Sequence, residues 1–477
     1  MNEYPTYNLL IDGQSIKTDR FIDVINPATG EVFAKASRAD EALLNRAVAA
    51  AKAAFPAWSS RPIAERSQLL LKLADAIEAR APEFAQLLTQ EQGKPMEQAM
   101  GEIFGTAFML RGFAAMTLEP KVLKEEGKAK IIEHRTPLGV VATITPWNYP
   151  VMLLSIKLAP ALIAGNTVVI KPPPTTPLTI CLLGDIFREI LPPGVVNIIC
   201  DMNDLGGLLT SHPDVAKVGF TGSTATGKKV MAAAADTIKR LTLELGGNDA
   251  AIVLDDVDPV EAAAHVFNAA MFNSGQICFA AKRAYVPRAM YDVFCDELAR
   301  LAKAAVVGNG MEPGTQIGPI QNAAQFERLK GFLADAHARG KVIAGGAPLD
   351  RPGYFIPPTI VRDVPDDARI VVEEQFGPIL PVLAYDDIDD AIKRANSLEY
   401  GLCCTIWGRD LDRATAIAMR IEAGTVWINQ HMALDINVSL RGTKQSGFGA
   451  DLGEEGLHDY TQARVVNRIE FAPRKQG

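Results

Sequence analysis

Three polar side chains stand in settings that favour chemistry over packing. Cys278 closes the run Asn273-Ser274-Gly275-Gln276-Ile277-Cys278 and is followed by Phe279-Ala280. A cysteine among apolar residues is more often an inert core thiol. The polar, glycine-containing stretch before this one suits backbone that approaches a ligand, and a thiolate nucleophile needs such an amide environment. Glu244 lies in Leu243-Glu244-Leu245-Gly246-Gly247. A carboxylate in an apolar strand is costly unless it has a use, and desolvation raises its pKa toward the range of a general base. An ordinary salt bridge is the plainer reading. Asn148, in Pro146-Trp147-Asn148-Tyr149-Pro150, follows a strand and lies between aromatics. Its amide is either an oxyanion donor or a turn former.

A glycine-rich turn raises a competing chemistry. Gly222-Ser223-Thr224-Ala225-Thr226-Gly227-Lys228 follows a strand, and Ala251–Leu254 runs into Asp255-Asp256. That pairing resembles a nucleoside-triphosphate site. Such a site needs Ser or Thr after the lysine to bind Mg²⁺, and Lys229 stands there instead. The turn still suits a dinucleotide pyrophosphate at a helix N-terminus, or is a plain strand–helix connection. Glu373-Glu374-Gln375-Phe376 reads as a capped loop on its own. No metal-ligand spacing appears among the six histidines, and no Cys-x-x-Cys occurs, so no metal site is expected.

These residues need a large scaffold. The chain has 477 residues, which predicts two or three domains. Its 48% hydrophobic and 22% charged content is that of a globular protein. A net charge of −8 gives no basic surface for nucleic acid. The apolar stretch 151–170 is long enough to cross a bilayer. Lys157, Pro160, Gly165 and Asn166 interrupt it, so a buried helix followed by a strand is expected. No membrane attachment is expected, and the N-terminus lacks a secretory pattern, which makes a reducing cytoplasm the default compartment.

Helical spacing predicts helices over 41–55 and 65–90. Short apolar runs then alternate with helices: 139–145, 167–170, 195–199, 216–220, 241–245 and 251–254. Such runs predict parallel strands covered on both faces, a doubly wound α/β pattern. A second block carries runs at 284–287, 342–344, 370–372, 381–384, 403–407 and 425–428. Two α/β units with a boundary near 246–249 follow. The alternating stretches 131–136 and 464–469 fall outside both and are expected to pair separately.

Seven segments occur in one order: TPWNYP at 145–150, VIKPPPTTP at 169–177, FTGSTATG at 220–227, LELGGND at 243–249, NSGQICFA at 273–280, EEQFGPILP at 373–381 and KQSGFG at 444–449. The chain thereby resembles the aldehyde dehydrogenase superfamily over nearly its whole length. The resemblance implies an α/β fold with a Rossmann-type cofactor unit (1–118 and 138–246), a catalytic unit (247–445) and oligomerisation strands (119–137 and 460–477). It implies Cys278 as nucleophile, Glu244 as general base, Asn148 as oxyanion donor and Lys157 as a lysine near the thiol. For NAD or NADP it implies contacts from Thr145, Pro146, Trp147, Lys171, Pro174, Gly222, Ser223, Gly227, Leu245, Gly246, Glu374 and Phe376. Among these, Lys171 matches the ribose-binding lysine, Gly222 and Ser223 the pyrophosphate turn, and Glu374 and Phe376 the nicotinamide-ribose contacts. Tyr149, Ile156, Ile277, Phe279 and Leu434 match the substrate mouth.

Departures from the family pattern sharpen the expectations. Pro174 stands where NAD-preferring members carry Glu, so appreciable use of NADP is expected. Ile156 stands where members acting on carboxylate-bearing semialdehydes often place Arg, although Arg441, in the altered Ser439-Leu440-Arg441-Gly442 segment, is a possible substitute. An uncharged apolar or aromatic aldehyde is the expected substrate. The carboxylate at 244 implies a free acid as product rather than an acyl-coenzyme A. A homodimer or homotetramer is expected from the leftover strands.

Overall fold

The structure, a computed structural model, describes residues 4–470. Its largest sheet has eight strands. The order is Gly447–Phe448, Arg240–Glu244, Val215–Thr221, Val140–Ile144, Thr167–Lys171, Val196–Ile198, Leu9–Ile11 and Gln14–Ile16. Its five central strands run parallel. Val140–Ile144 and Thr167–Lys171 are buried along their whole length, as continuous apolar runs covered on both faces require. From Val140–Ile144 the chain builds outward in one direction through Thr167–Lys171 and Val196–Ile198. It then returns to build the other side with Val215–Thr221 and Arg240–Glu244. The reversal leaves a crevice at the carboxyl ends of Val140–Ile144 and Val215–Thr221, where ligands bind in doubly wound sheets.

A seven-stranded sheet forms the second layer system, in the order Lys341–Ala344, Thr359–Arg362, Ile379–Tyr385, Ala281–Pro287, Asp249–Val253, Cys403–Trp407 and Thr425–Ile428. Only its first pair is antiparallel. The chain passes between the two sheets within residues 245–248. Ala129–Pro137 pairs antiparallel with Thr461–Ile469, and Lys121–Glu126 adds a third strand. Residues 471–477 of the expected C-terminal strand unit lie outside the described residues. All six cysteines are free thiols.

Two elements differ from the sequence expectation. The helical stretch 65–90 is two helices, Ile63–Ala79 and Ala81–Gln92. Arg80 leaves helical geometry at φ −110°, ψ 15°, and Pro82 opens the next helix at its first turn, where a missing N–H costs nothing. Residues 370–372 form a helical turn, Arg369–Val372, rather than a strand. The Val371 and Val372 N–H groups close on Ala368 O, and Asp335 accepts from the Ile370 N–H. Those tertiary bonds override the β preference of Ile and Val. Stretch 151–170 is a helix, Pro150–Ala164, followed by Thr167–Lys171, and no helix among the described residues is long and apolar enough to cross a membrane.

A buried ion pair anchors the start of that helix. Glu102 Oε1 accepts from the N–H groups of Val151 and Met152 at 3.0 and 3.2 Å. Its other oxygen lies 2.5 Å from Lys94 Nζ, with neither side chain exposed. Lys94 also donates to Asn148 O at 2.9 Å and sits 3.5 Å over the Tyr149 ring. Removing one partner leaves a buried charge unmatched. Glu102→Ala is expected to destabilise the fold by about 3–5 kcal/mol, read as a lower urea midpoint at unchanged slope.

Candidate active site

A cavity of ≈ 910 Å³ opens between the two large sheets, and Cys278, Glu244 and Asn148 all line it. Each arrives by a different route. Glu244 is the last residue of Arg240–Glu244, beside Thr221 of the neighbouring strand. Asn148 follows Val140–Ile144 just before the helix at Pro150. Cys278 comes from a loop in which Asn273, Ser274 and Gly275 all have left-handed backbones, at φ 50°, 56° and 68°. Such backbone is strained for the two non-glycine residues. It is held by Ser274 Oγ donating to Gly318 O at 2.9 Å and by Gln276 Oε1 accepting from Gln321 N at 2.9 Å.

The thiol is half-buried. Burial pushes its pKa up to about 12, against the pull of Lys282, with Glu374, Asp249 and Glu244 adding to the rise. Lys282 Nζ donates to the Ile277 and Cys278 carbonyls at 2.9 and 2.5 Å and lies 3.6 Å from Glu374 Oε1. The Cys278 N–H makes no intramolecular hydrogen bond among the described residues. Asn148 Nδ2 donates one N–H to Gln276 O at 2.8 Å. A primary amide has two N–H donors, so that bond orients the group and leaves the second for a ligand oxygen.

Glu244 is 6% exposed, and its Oε1 has no hydrogen-bond partner in the protein. Burial lifts its pKa well above the usual carboxylate range; Asp451 adds to the rise and Lys157 opposes it. A desolvated carboxylate with a free lone pair can take a proton from water.

The carboxyl edge of the eight-stranded sheet carries the residues expected at the cofactor. Thr145, Pro146 and Trp147 follow Val140–Ile144; Lys171 ends its strand; Gly222 and Ser223 follow Val215–Thr221; Leu245 and Gly246 follow Glu244. Pro174 sits half-buried three residues past Lys171. Ser223 caps the helix Thr224–Ala234, its Oγ accepting from Thr226 N at 3.3 Å. Trp147 and Phe376 meet edge to face with centroids 5.2 Å apart, and Phe376 has φ 56°. Glu374 Oε1 accepts from Gly247 N at 3.1 Å. Thr145 Oγ1 and Thr221 Oγ1 are buried without protein partners. Unmatched polar atoms along a crevice floor fit a polar ligand such as a dinucleotide. Gly227 faces inward, where a Cβ would collide with Leu245, so its smallness serves helix-to-strand packing.

The sequence profile of the aldehyde dehydrogenase family matches residues 14–466. The chain belongs to the aldehyde dehydrogenase family. It is 38% identical over 97% of its length to the aldehyde dehydrogenase LUC3 of a Fusarium species, covering 99% of that protein. The NAD⁺ complex of a Bacillus cereus aldehyde dehydrogenase superposes at TM-score 0.95, with 36% identity and coverage of 98% and 97% of the two chains. An NADP-dependent enzyme of E. coli superposes equally well at 33% identity, covering 98% of each chain. The protein is therefore an oxidoreductase that oxidises an aldehyde to a carboxylic acid with NAD or NADP.

In this aldehyde dehydrogenase the five residues expected at the substrate mouth, Tyr149, Ile156, Ile277, Phe279 and Leu434, all lie on the cavity wall. Lys157 is placed differently from the expectation. It is not exposed, its Nζ lies 2.8 Å from Asp451 Oδ2, and its charge lowers the pKa of Glu244. The helix that carries it buries this face, so Asp451, 294 residues away, is its charge partner. Arg441 is exposed and ion-paired to Glu455, off the cavity wall. Its charge nonetheless reaches Glu244, whose pKa it lowers. Asp255 pairs with Arg413, and Asp256 accepts from the backbone of Arg409 and Asp410. Both follow a strand of the other sheet from the Gly222 turn, so they form no nucleotide site with it.

Sequence reasoning missed Asp451, Lys282 and the Lys94–Glu102 pair. No spacing rule connects residues that meet only in the fold. The raised thiol has a direct consequence: alkylation of Cys278 by iodoacetamide in the cofactor-free enzyme is expected to be slow at neutral pH. Its rate should still be climbing at pH ~10, where an ordinary thiol with pKa ~8.5 has levelled off. Mass-spectrometric rate profiles against Cys278→Ala check this.

Proposed function

We propose that this enzyme oxidises uncharged apolar or aromatic aldehydes to free acids through covalent attachment to Cys278. The observation that carries the reading is a single apolar cavity whose wall holds a thiol, a desolvated carboxylate and an oriented amide. The Cys278 thiol gives up its proton to solvent, and the thiolate sulfur attacks the aldehyde carbon and forms a C–S bond. The carbonyl electron pair moves onto oxygen, where the free Asn148 N–H and the Cys278 N–H hold it. Trp147, Lys171, Gly222, Ser223, Glu374 and Phe376 hold the dinucleotide, whose nicotinamide accepts the hydride when bound. With the acyl group on sulfur, Glu244 takes a proton from water, the hydroxide oxygen bonds to the acyl carbon, and the Cys278 sulfur leaves as thiolate. Asp451 makes Glu244 a stronger base and Lys157 moderates it.

The wall supports the substrate class. Tyr149, Met152, Ile156, Phe267, Phe279 and Leu434 supply aromatic and aliphatic surface. Among the described residues no Lys, Arg or His lines the cavity, while Glu97, Glu102, Glu244 and Asp451 do. A substrate carboxylate would be desolvated there without a counter-charge. For self-association, the outer strand Lys121–Glu126 and the exposed Val465, Val466 and Ile469 leave an apolar sheet edge open. We infer a homodimer or homotetramer joined there, and light scattering that shows a monomer at micromolar concentration would overturn this.

Three measurements test the chemistry. An apolar or aromatic aldehyde should exceed an isosteric carboxylate-bearing one in kcat/KM by about 10²-fold, or about 2.8 kcal/mol at 1.4 per decade. Cys278→Ala should abolish dehydrogenation. Glu244→Gln should lose roughly 10²–10⁴-fold in steady-state turnover, yet still produce a burst of about one reduced cofactor per site and stall as thioester. Rapid-mixing absorbance and intact mass read the burst and the adduct. Undiminished turnover in Glu244→Gln would move the base role to another residue.

A further inference from the structure

Lys171 is tied down by a carboxylate that no sequence motif marks. Its side chain is 4% exposed, and its Nζ lies 2.7 Å from Oδ1 of Asp201, which is fully buried. The second Asp201 oxygen accepts from Leu205 N at 2.8 Å. Lys171 also donates to Asn203 Oδ1 at 3.2 Å, and Asn203 holds a left-handed backbone at φ 65°. Just before Asp201, Cys200 O accepts from Ala39 N at 2.7 Å. The carboxylate is therefore fixed by the backbone around it and faces the lysine.

An ammonium has three N–H donors. One is committed to Asn203, and the ammonium charge is paired with the Asp201 carboxylate 2.7 Å away. One donor suffices for a ribose hydroxyl. A 2′-phosphate brings up to two negative charges and wants several donors. Here it would meet a lysine whose charge is already cancelled, with a fixed negative charge behind it in a poorly screened setting. Pro174 adds neither charge nor N–H donor.

We propose that Asp201, acting through Lys171, discriminates against a 2′-phosphate and makes NAD the preferred cofactor. The inference rests on the reading that Lys171 faces the adenosine ribose of the dinucleotide. It refines the expectation of appreciable NADP use, which considered Pro174 alone, by adding a group that favours NAD. Asp201 restores at Lys171 the carboxylate that Pro174 lacks, from a different strand end.

The test uses the full-length enzyme and two readouts. Calorimetric titration with ADP and with adenosine 2′,5′-bisphosphate measures binding without turnover. The ratio of kcat/KM for NAD and NADP measures it during catalysis. The wild type should favour the partner without a 2′-phosphate by about tenfold or more in both. Asp201→Asn keeps the side-chain shape and removes the charge, and should shift both ratios toward the 2′-phosphorylated partner by about tenfold. A wild type that binds both adenosine nucleotides alike, or a folded Asp201→Asn that changes both affinities equally, would overturn the role of Asp201 and leave the enzyme reading intact. Oxidation of no aldehyde with either dinucleotide, together with no binding of either nucleotide, would overturn both.

Discussion

The crossing from one sheet to the other leaves no room at two successive residues. A Cβ on Gly246 would run into the Glu374 carboxylate, and one on Gly247 would lie 2.6 Å from Cys278 O and 2.7 Å from Asp249 Oδ1. Any side chain there would push the nucleophile loop and the Glu374 loop off the strand that carries Glu244. The Gly247 N–H instead donates to Glu374, and Lys282 bridges from Glu374 to the Cys278 carbonyl. Cys278, Glu244 and Glu374 are thus held by one short stretch of bare backbone. The fit depends on close packing, which tolerates little change in volume.

Charge burial sets the chemistry of what that stretch assembles. Glu244, Cys278 and Asp249 are all shifted toward their neutral forms by desolvation, Asp249 to about 7. Left alone, such groups would be a stability cost without a use. The surrounding pairs turn the cost into control. Lys157–Asp451 lies beside Glu244, Lys282 under Cys278, and Lys94–Glu102 behind Asn148. Each buried cation has an oxygen partner, and each sits one contact away from a reacting group rather than among them.

The same logic separates the two halves of the crevice. Among the described residues the cavity wall carries acidic and apolar groups and no cation. Along the carboxyl edge of the eight-stranded sheet, the strand ends offer Lys171, the Ser223-capped helix and the orphaned hydroxyl of Thr145, while the orphaned Thr221 hydroxyl belongs to a residue of the cavity wall. The reversal of strand order beside Val140–Ile144 places both sides at the carboxyl ends of the same strands. Asn148 and Glu244 leave those strands toward the cavity, while Trp147 and Gly222, next to them in sequence or in the sheet, are not on its wall.

Much of this was legible in local segments. Continuous apolar runs announced the parallel strands, and the two sheets change hands where Gly246-Gly247 suggested. Cys278, Asn148 and Glu244 stood out because each is a polar group in a stretch that otherwise reads as core or tight turn, and the structure brings all three to one cavity wall. The helix break at Arg80 and the helical turn at Arg369–Val372 were less legible, since a proline start and a tertiary carboxylate cap decided them. What only the tertiary structure decided is the pairing of buried charge. Lys157 meets Asp451 across 294 residues, Lys94 meets the Asn148 carbonyl across 54, and Lys171 meets Asp201 from the next strand. Periodicity and motif spacing report which face of an element is apolar, whereas a buried ion's partner is set by which elements come within about 4 Å in the folded core.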